Sequence, residues 1–433
     1  MASTYLSRTP ASSGNLKTWT FSTWFKKGSG GYLLGVADMT DGDPGTAIEV
    51  GNAVLFSIYN GGYVSRLDPL NLARDVSGWY HYVVSVDTTQ ATASDRVKIY
   101  LNGERITSFS TETYPPQNYD TMVNSSSYEH RIGDRGGNSF DGSMSHVHLI
   151  DGTAYDATAF GEFDANGVWT PKTSPSVTYG TNGFFLKFEN SGSMGLDSSG
   201  NGNNFTVNGT LTQTLDTPSN VYATFNPLIP QGLAYANGNL SATHNAASWK
   251  SAYGTFAMSG TGKYYFESKV STLGSFQGVG IVDAEQISSS ASKFGAVSRG
   301  YGYKNDGNKT NNDVDVSYGA TYTTGDIIMC AVDLNAGAIW WGKNGTWQNS
   351  ATQSEIEAGT TTNAGYTGIS NSYVYLPAVQ IYGSGTNQLN TGNGYFGTTA
   401  VSSAGSNGNG SIFEYDVPSG YYALNTKNLA TYG

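Results

Sequence analysis

Acid–base cleavage of a glycosidic bond needs two carboxyl groups, about 5–5.5 Å apart for retention of configuration and about 6.5–9.5 Å apart for inversion. On a β-strand this requirement appears as acidic residues at i and i+2 or i+4, which share one face. The nearest pattern in this 433-residue chain is Asp313-Val314-Asp315. No glutamate accompanies it, and the surrounding NKTNNDVDVSYG reads as loop, so a solvated or ion-binding turn is expected rather than a catalytic pair. Glu267, in YYFESK, stands alone and is expected at a strand edge or against a polar partner. His146 and His148 flank Val147 on an expected strand, so both rings share a face and supply half of a metal site. The sole nearby third ligand is Asp151, beyond the strand, so structural histidines are expected. Five histidines and one cysteine (Cys330, inside the apolar IIMCAV) give no zinc spacing and no Cys-His pair, and no nucleophile elbow appears among the many serines. The chain is therefore expected not to be an enzyme.

Aromatic residues suggest recognition instead. Stacking on a sugar requires exposed rings surrounded by Asn, Asp and Gly amides, and the second half offers Tyr301, Tyr303, Trp340, Trp341, Trp347, Tyr373 and Tyr375. On AIWWGKNGTW, Trp340 and Trp341 must point to opposite faces, so at most one is expected in the core of that sheet. Tyr301, Tyr303, Trp341, Trp347 and Tyr373 are the expected ligand contacts.

The elements that must position these residues are strands. Residues 78–104, GWYHYVVSVDTTQATASDRVKIYLNGE, and 325–347, GDIIMCAVDLNAGAIWWGKNGTW, spell the same phrase. In each, an apolar strand ends in Val-Asp, a polar turn follows, and a second strand runs into Asn-Gly (Asn102-Gly103, Asn344-Gly345). Asn-Gly between apolar runs marks a type I′ hairpin, because both central residues need positive φ. The phrase predicts a three-strand meander used once in each half. WTFSTWFKK, YLLGVAD, AVLFSIYN, SMSHVHLIDG and FFLKFEN, then TGKYYFESKV, GVGIVD, GYGYK and YLPAVQIYG, add short strands separated by Gly, Asn and Asp turns. Only 154–164 reads as a short helical turn, leading into GVWTP. Three prolines in TQTLDTPSNVYATFNPLIPQG predict an extended linker at 216–232, between domains at 1–215 and 233–433, the latter ending in a tail segment. The fold class is all-β: two tandem jelly-roll sandwiches.

Composition agrees. Apolar residues at 38% suffice for cores, and 56 glycines with 13% charged residues suit tight turns between strands. A net charge of −11 argues against nucleic acid and anionic membrane as partners. No apolar run of about 18–20 residues is present for membrane insertion. The N-terminal MASTYLSRTP carries no basic-then-apolar pattern, so export by a standard route is not expected. With no possible disulfide, stability outside a cell must rest on packing and oligomerisation.

WTFSTWFKK, GWYHYVVSVD…VKIYLNGE, FDGSMSHVHLIDG and LDSSGNGNNFTVNG together resemble the laminin G-like, concanavalin A-like domains of bacterial and phage proteins, over about residues 3–211. The order departs from the family: FFLKFENSGSMGLDSSGNGN comes last, which implies a circular permutation with that strand filling the slot beside residues 3–9. The resemblance also implies a rim calcium, as a possible rather than a required cofactor. Two loops offer oxygen ligands: Asp38, Asp41 and Asp43, or, favoured, Asp197, Asn201 and Asn203. GKYYFESKV, GVGI, GYGYK, TGDIIMCAVDLNAGAIWWGKNGTW and YLPAVQIYG resemble SPRY domains, over about residues 233–418. SPRY domains are binding modules, so this resemblance implies interaction rather than chemistry. The tandem, with PSGYYALNTKNL at its end, resembles structural proteins of marine bacteriophages. What that implies is a virion surface protein (fibre, spike or appendage), assembled in the host cytoplasm, homo-oligomeric, contacting other virion proteins and host surface glycans. A capsid decoration or adaptor protein is the alternative, and a glycan hydrolase a third that lacks its paired-carboxylate strand.

Overall fold

A computed structural model describes residues 4–37, 44–229, 231–287 and 293–433. Contacts divide the chain into two compact units, Met1–Gln213 and Thr214–Gly433. Among the described residues no helix is long and apolar enough to cross a membrane.

In the first unit one long strand, Thr18–Ala37, serves two sheets. Its first half pairs with Trp79–Asp87 on one side and Asp141–Asp151 on the other. Its second half pairs with Gly45–Val50 and Glu129–Ile132. The turn from one sheet to the other occurs at Gly30 and Gly31, with φ of +115° and +119°. A Cβ at Gly30 would sit 2.3 Å from the Val50 carbonyl oxygen, so only glycine fits. Between the sheets lies a core of Trp19, Phe21, Phe25, Leu34, Ile48 and Phe56, joined by Tyr82, Val84 and Ile99 of the predicted meander.

Both Asn-Gly turns form as predicted, and they are anchored identically. Asn102 and Gly103 have φ of +50° and +85°, and Asn344 and Gly345 have +48° and +83°. The Asn102 side-chain oxygen accepts from the His81 N–H at 2.8 Å, and the Asn344 oxygen accepts from the Ile327 N–H at 2.8 Å. Each asparagine thus tethers the turn to the start of the first strand of its own meander.

Two segments differ from expectation. Within the expected linker, 216–232, Tyr222, Ala223 and Phe225 are buried in the cores of the second unit, and the Ala223 N–H donates to the Leu424 carbonyl, so the described part of it is not a free extended connection. Their apolar residues outweigh the prolines. The slot beside Tyr5–Arg8 is filled by Thr206–Asn208, whereas the earlier Phe184–Leu186 pairs with Asp141–Asp151 in the other sheet. The tail is a helix, Thr426–Tyr432, whose Tyr432 ring stacks on Tyr422 at 3.7 Å. The 154–164 segment holds one 3₁₀ turn, Ala157–Ala159, followed by a short hairpin of Gly161–Phe163 with Trp169–Pro171.

In the second unit, Tyr375–Asn390 is again a strand shared between sheets. Its first part pairs with Phe276–Asp283 and its last part with Lys263–Thr272, while Ser241–Tyr253 runs along its other edge. Ile327–Asp333 and Ala338–Lys343 continue the second sheet.

Candidate functional site

Of the five expected ligand contacts, Tyr303 and Trp341 are fully buried in the central core of the second unit. Trp347 packs in a second cluster with Tyr265 and Phe413. Tyr301 lies against Tyr366 and Tyr375, and the Tyr373 ring is covered by the Arg299 guanidinium at 4.0 Å. Trp340 and Trp341 do point to opposite faces, yet both are buried. The sheet face beneath Trp340 is covered by residues such as Tyr222, Phe413 and Tyr421, from segments that strand alternation alone does not place.

The loop favoured for calcium is built for another task. Asp197 accepts from the N–H groups of Phe185, Ser199 and Asn203 (2.8–2.9 Å) and from the Ser199 hydroxyl (2.8 Å). Asn201 and Asn203 turn their amide nitrogens, not their oxygens, to the carbonyls of Gly180, Thr181 and Gly183. The Asn203 oxygen is taken by Arg8, a cation already seated there. A hard divalent ion needs free oxygens, so this donor set does not fit one. Asp38, Asp41 and Asp43 lie outside the described residues. Among the described residues no group of three or more His, Cys, Asp or Glu is placed to hold a metal.

His146 and His148 are separated by a β-bulge, with His146 at φ +48°, so they do not simply alternate with Val147. His148 stacks on Phe185 at 3.9 Å and pairs with the Tyr179 hydroxyl, and burial holds its pKa well below the usual range. Asp151 accepts from the backbone of Asn15 and Asn182. A Ser-His contact does exist: Ser22 Oγ lies 2.9 Å from His81 Nε2. The far nitrogen of that ring, Nδ1, accepts from the Trp169 indole N–H at 2.9 Å. An indole only donates, so the proton of the neutral ring must sit on Nε2, pointing at Ser22. Burial pushes the His81 pKa down to about 3, which keeps the ring neutral. A general base would need Nε2 bare, and a carboxylate where Trp169 stands, so the pair is structural.

Asp313 and Asp315 do not share a strand face either. Asp313 sits in a left-handed turn at φ +60°, and only Asp315 belongs to the strand Val314–Ser317. Each carboxylate has its own lysine: Asp313 with Lys293, and Asp315 with Lys304 at 2.5 Å, the latter also 2.9 Å from Asp306. Burial raises the pKa of Asp315, but the Lys304 ammonium outweighs it, leaving the group below its usual value. A general acid needs the opposite shift.

These lysines lead to a surface that the sequence did not disclose. Trp249, Tyr382 and Phe276 are directly paired positions on three adjacent antiparallel strands. Their ring centres lie 5.4 Å (Trp249–Tyr382), 6.3 Å (Phe276–Tyr382) and 6.1 Å (Trp249–Phe276) apart. The rows further along this outer face are covered. Phe294 packs on Tyr253, Val282 and Ala378, its N–H donates to Ser251 Oγ, and the Gly295 N–H donates to Gln380 Oε1. Among the described residues this backbone cover stops one row short of the three rings. Phe276 is 42% exposed, and Trp249 and Tyr382 are half-buried. Lys293 Nζ stands 5.2 Å from the Trp249 ring centre and Lys304 Nζ 5.7 Å from that of Phe276.

The described residues form two β-sandwich units, the second carrying a partly exposed aromatic row. Residues 2–159 match the family described as the concanavalin A-like lectin/glucanases superfamily, and residues 263–361 match the SPRY domain family. The first match lies in the first unit and the second in the second unit, in agreement with the all-β tandem architecture. The chain is also similar to the SPRY domain of human HERC1 (20% identity, TM-score 0.29, covering 38% of this chain and 96% of that one). A second human SPRY domain gives 16% identity and a TM-score of 0.26, covering 36% and 93%. Stonustoxin gives 17% and 0.29, covering 39% and 27%. The SPRY match includes Phe276 but neither Trp249 nor Tyr382.

Proposed function

We propose that this chain is a non-enzymatic binding protein whose second unit holds an external surface through the Trp249–Phe276–Tyr382 face. The observation that carries this reading is the partly exposed aromatic row beside the part of the sheet face that Phe294 and Gly295 cover, among the described residues. The lectin/glucanases family matched by residues 2–159, in the first unit, supports a glycan among the protein's partners. The absence of chemistry is supported by the Ser22–His81 pair holding its proton on the wrong nitrogen and by the lysine-bound Asp313 and Asp315. The setting we infer is a virion surface, where copies of a homo-oligomer multiply weak contacts through effective concentration. Support for that setting is the sequence resemblance of the tandem alone.

A second reading is an adaptor that grips another virion protein. It is favoured by the compactness of the three rings, which resembles a protein–protein hot spot, and by the SPRY match. Purified protein is expected to bind host cells, and Trp249→Ala to lose that binding while remaining folded. Binding to isolated particles but not to cells selects the adaptor reading. Absence of the protein from purified particles by mass spectrometry contradicts the virion setting in both.

A further inference from the structure

We propose that the Trp249–Phe276–Tyr382 face takes an uncharged pyranose chain, stacked on the rings and hydrogen-bonded through its hydroxyls to the rim. This deepens, and rests on, the reading of that face as the contact surface. Charge decides the ligand class. Beside the rings stand two ammonium groups, Lys293 and Lys304, and the three carboxylates that bind them, Asp306, Asp313 and Asp315. The rim therefore has one negative charge in excess, on a chain of net charge −11. A uronate or sulfate ester would meet that excess, and among the described residues beside the rings both lysines are already paired. A cationic ligand would meet like charge at the rings, because the Lys293 and Lys304 ammonium groups already stand over Trp249 and Phe276.

A neutral sugar meets neither penalty. Its C–H faces pack on the ring surface that the lysines leave exposed, chiefly that of Phe276. Its hydroxyls reach Asp313, whose side chain is two-thirds exposed (67%) and bonded to Lys293 through one oxygen. A protein surface closing over the rings would have to strip water from the Lys293–Asp313 pair, which a narrow sugar chain leaves hydrated.

The test is affinity electrophoresis of the full chain through gels containing neutral polysaccharides (glucans, galactans and mannans of both linkages) or anionic ones (uronate and sulfated). At least one neutral polymer is expected to retard the protein. Trp249→Ala and Phe276→Ser should each weaken that binding by about tenfold or more, the scale of a hot-spot aromatic. Trp249→Phe should weaken it less, with thermal melts showing every variant folded. Removing rim charge by Asp306→Asn and Asp313→Asn should admit anionic polymers that the native protein refuses. Retardation by anionic polymers alone, lost in Trp249→Ala, overturns the neutral-sugar inference but keeps the contact surface. Retardation indifferent to both aromatic substitutions overturns both. No retardation by any neutral polymer, or Trp249-dependent capture of a virion protein in its place, overturns the inference.

Discussion

Glu267 lies fully buried beneath the segment that carries Glu414 and Tyr415, and replacing it with glutamine changes how stability depends on pH. Its oxygens accept from the N–H groups of Glu414 (2.9 Å) and Tyr415 (3.0 Å), the Tyr265 hydroxyl (3.0 Å) and the Asn390 amide (3.3 Å). Of the two expected settings, a strand edge or a polar partner, the second forms: the group is buried and accepts four hydrogen bonds. Burial raises its pKa from 4.5 to about 7, against the opposing pull of those four donors. Because the folded value lies above the unfolded one, the folded state binds the proton more tightly. The resulting stability is fully present below about pH 4.5, is lost as pH rises, and is gone above about pH 7. At 1.36 kcal/mol for each tenfold change in proton affinity, the rise corresponds to about 3 kcal/mol. Urea unfolding of the native protein and Glu267→Gln should therefore be compared from pH 4.5 to pH 8. The stability difference between them should drift by about 3 kcal/mol against the native protein across that range, since only glutamate ionises. Hydrogen exchange at the Glu414 and Tyr415 amides should quicken with pH in the native protein by more than the chemical rate alone, and not in the variant. Parallel pH profiles for the two proteins would refute the reasoning.

Other substitutions test the scaffold and the corrected sites. Asn102→Ala and Asn344→Ala each place a Cβ-bearing residue without a tethering oxygen at φ near +50°, and chemical denaturation should show a loss of about 1–2 kcal/mol, less for glycine. Asp197→Ala leaves four donors without their acceptor and should destabilise the first unit by about 3 kcal/mol in the same assay. Calcium or a chelator should leave the melting temperature of the native protein unchanged. Trp341→Ala opens a cavity at a fully buried position and should cost about 3–5 kcal/mol, whereas Trp249→Ala should cost about 1 kcal/mol or less.

The strands, the two meanders and both type I′ turns are legible in the sequence because alternation and Asn-Gly are local signals. What strands bury on their second face is not local. Trp341 carries the marks of an exposed aromatic beside Asn-Gly, yet Tyr303, Tyr318 and Tyr366, from three other segments, pack around it. The same limit hid Tyr222 and Phe225 within a proline-rich stretch that looks like a linker. Asp197, Asn201 and Asn203 look like metal ligands because the residues that hold a turn together and those that hold an ion are the same types. Which way an amide points is settled by the carbonyls of Gly180, Thr181 and Gly183, from a neighbouring turn. Trp249, Phe276 and Tyr382 come from three separated strands, and only the pairing register aligns them. The sequence signal available for them was one aromatic residue at an outward position of each strand, indistinguishable from many others in a chain with 30 tyrosines.

The central claim is that the protein meets its partner through the aromatic row of the second unit. Hydroxyl-radical footprinting of the full chain, free and bound to host cell-surface material, tests it most directly, because indole and phenyl rings label in proportion to their exposure. Labelling of Trp249, Phe276 and Tyr382 should fall on binding while that of Tyr63, 54% exposed in the first unit, stays constant. Unchanged labelling of the three rings in a complex that protects residues elsewhere would contradict it.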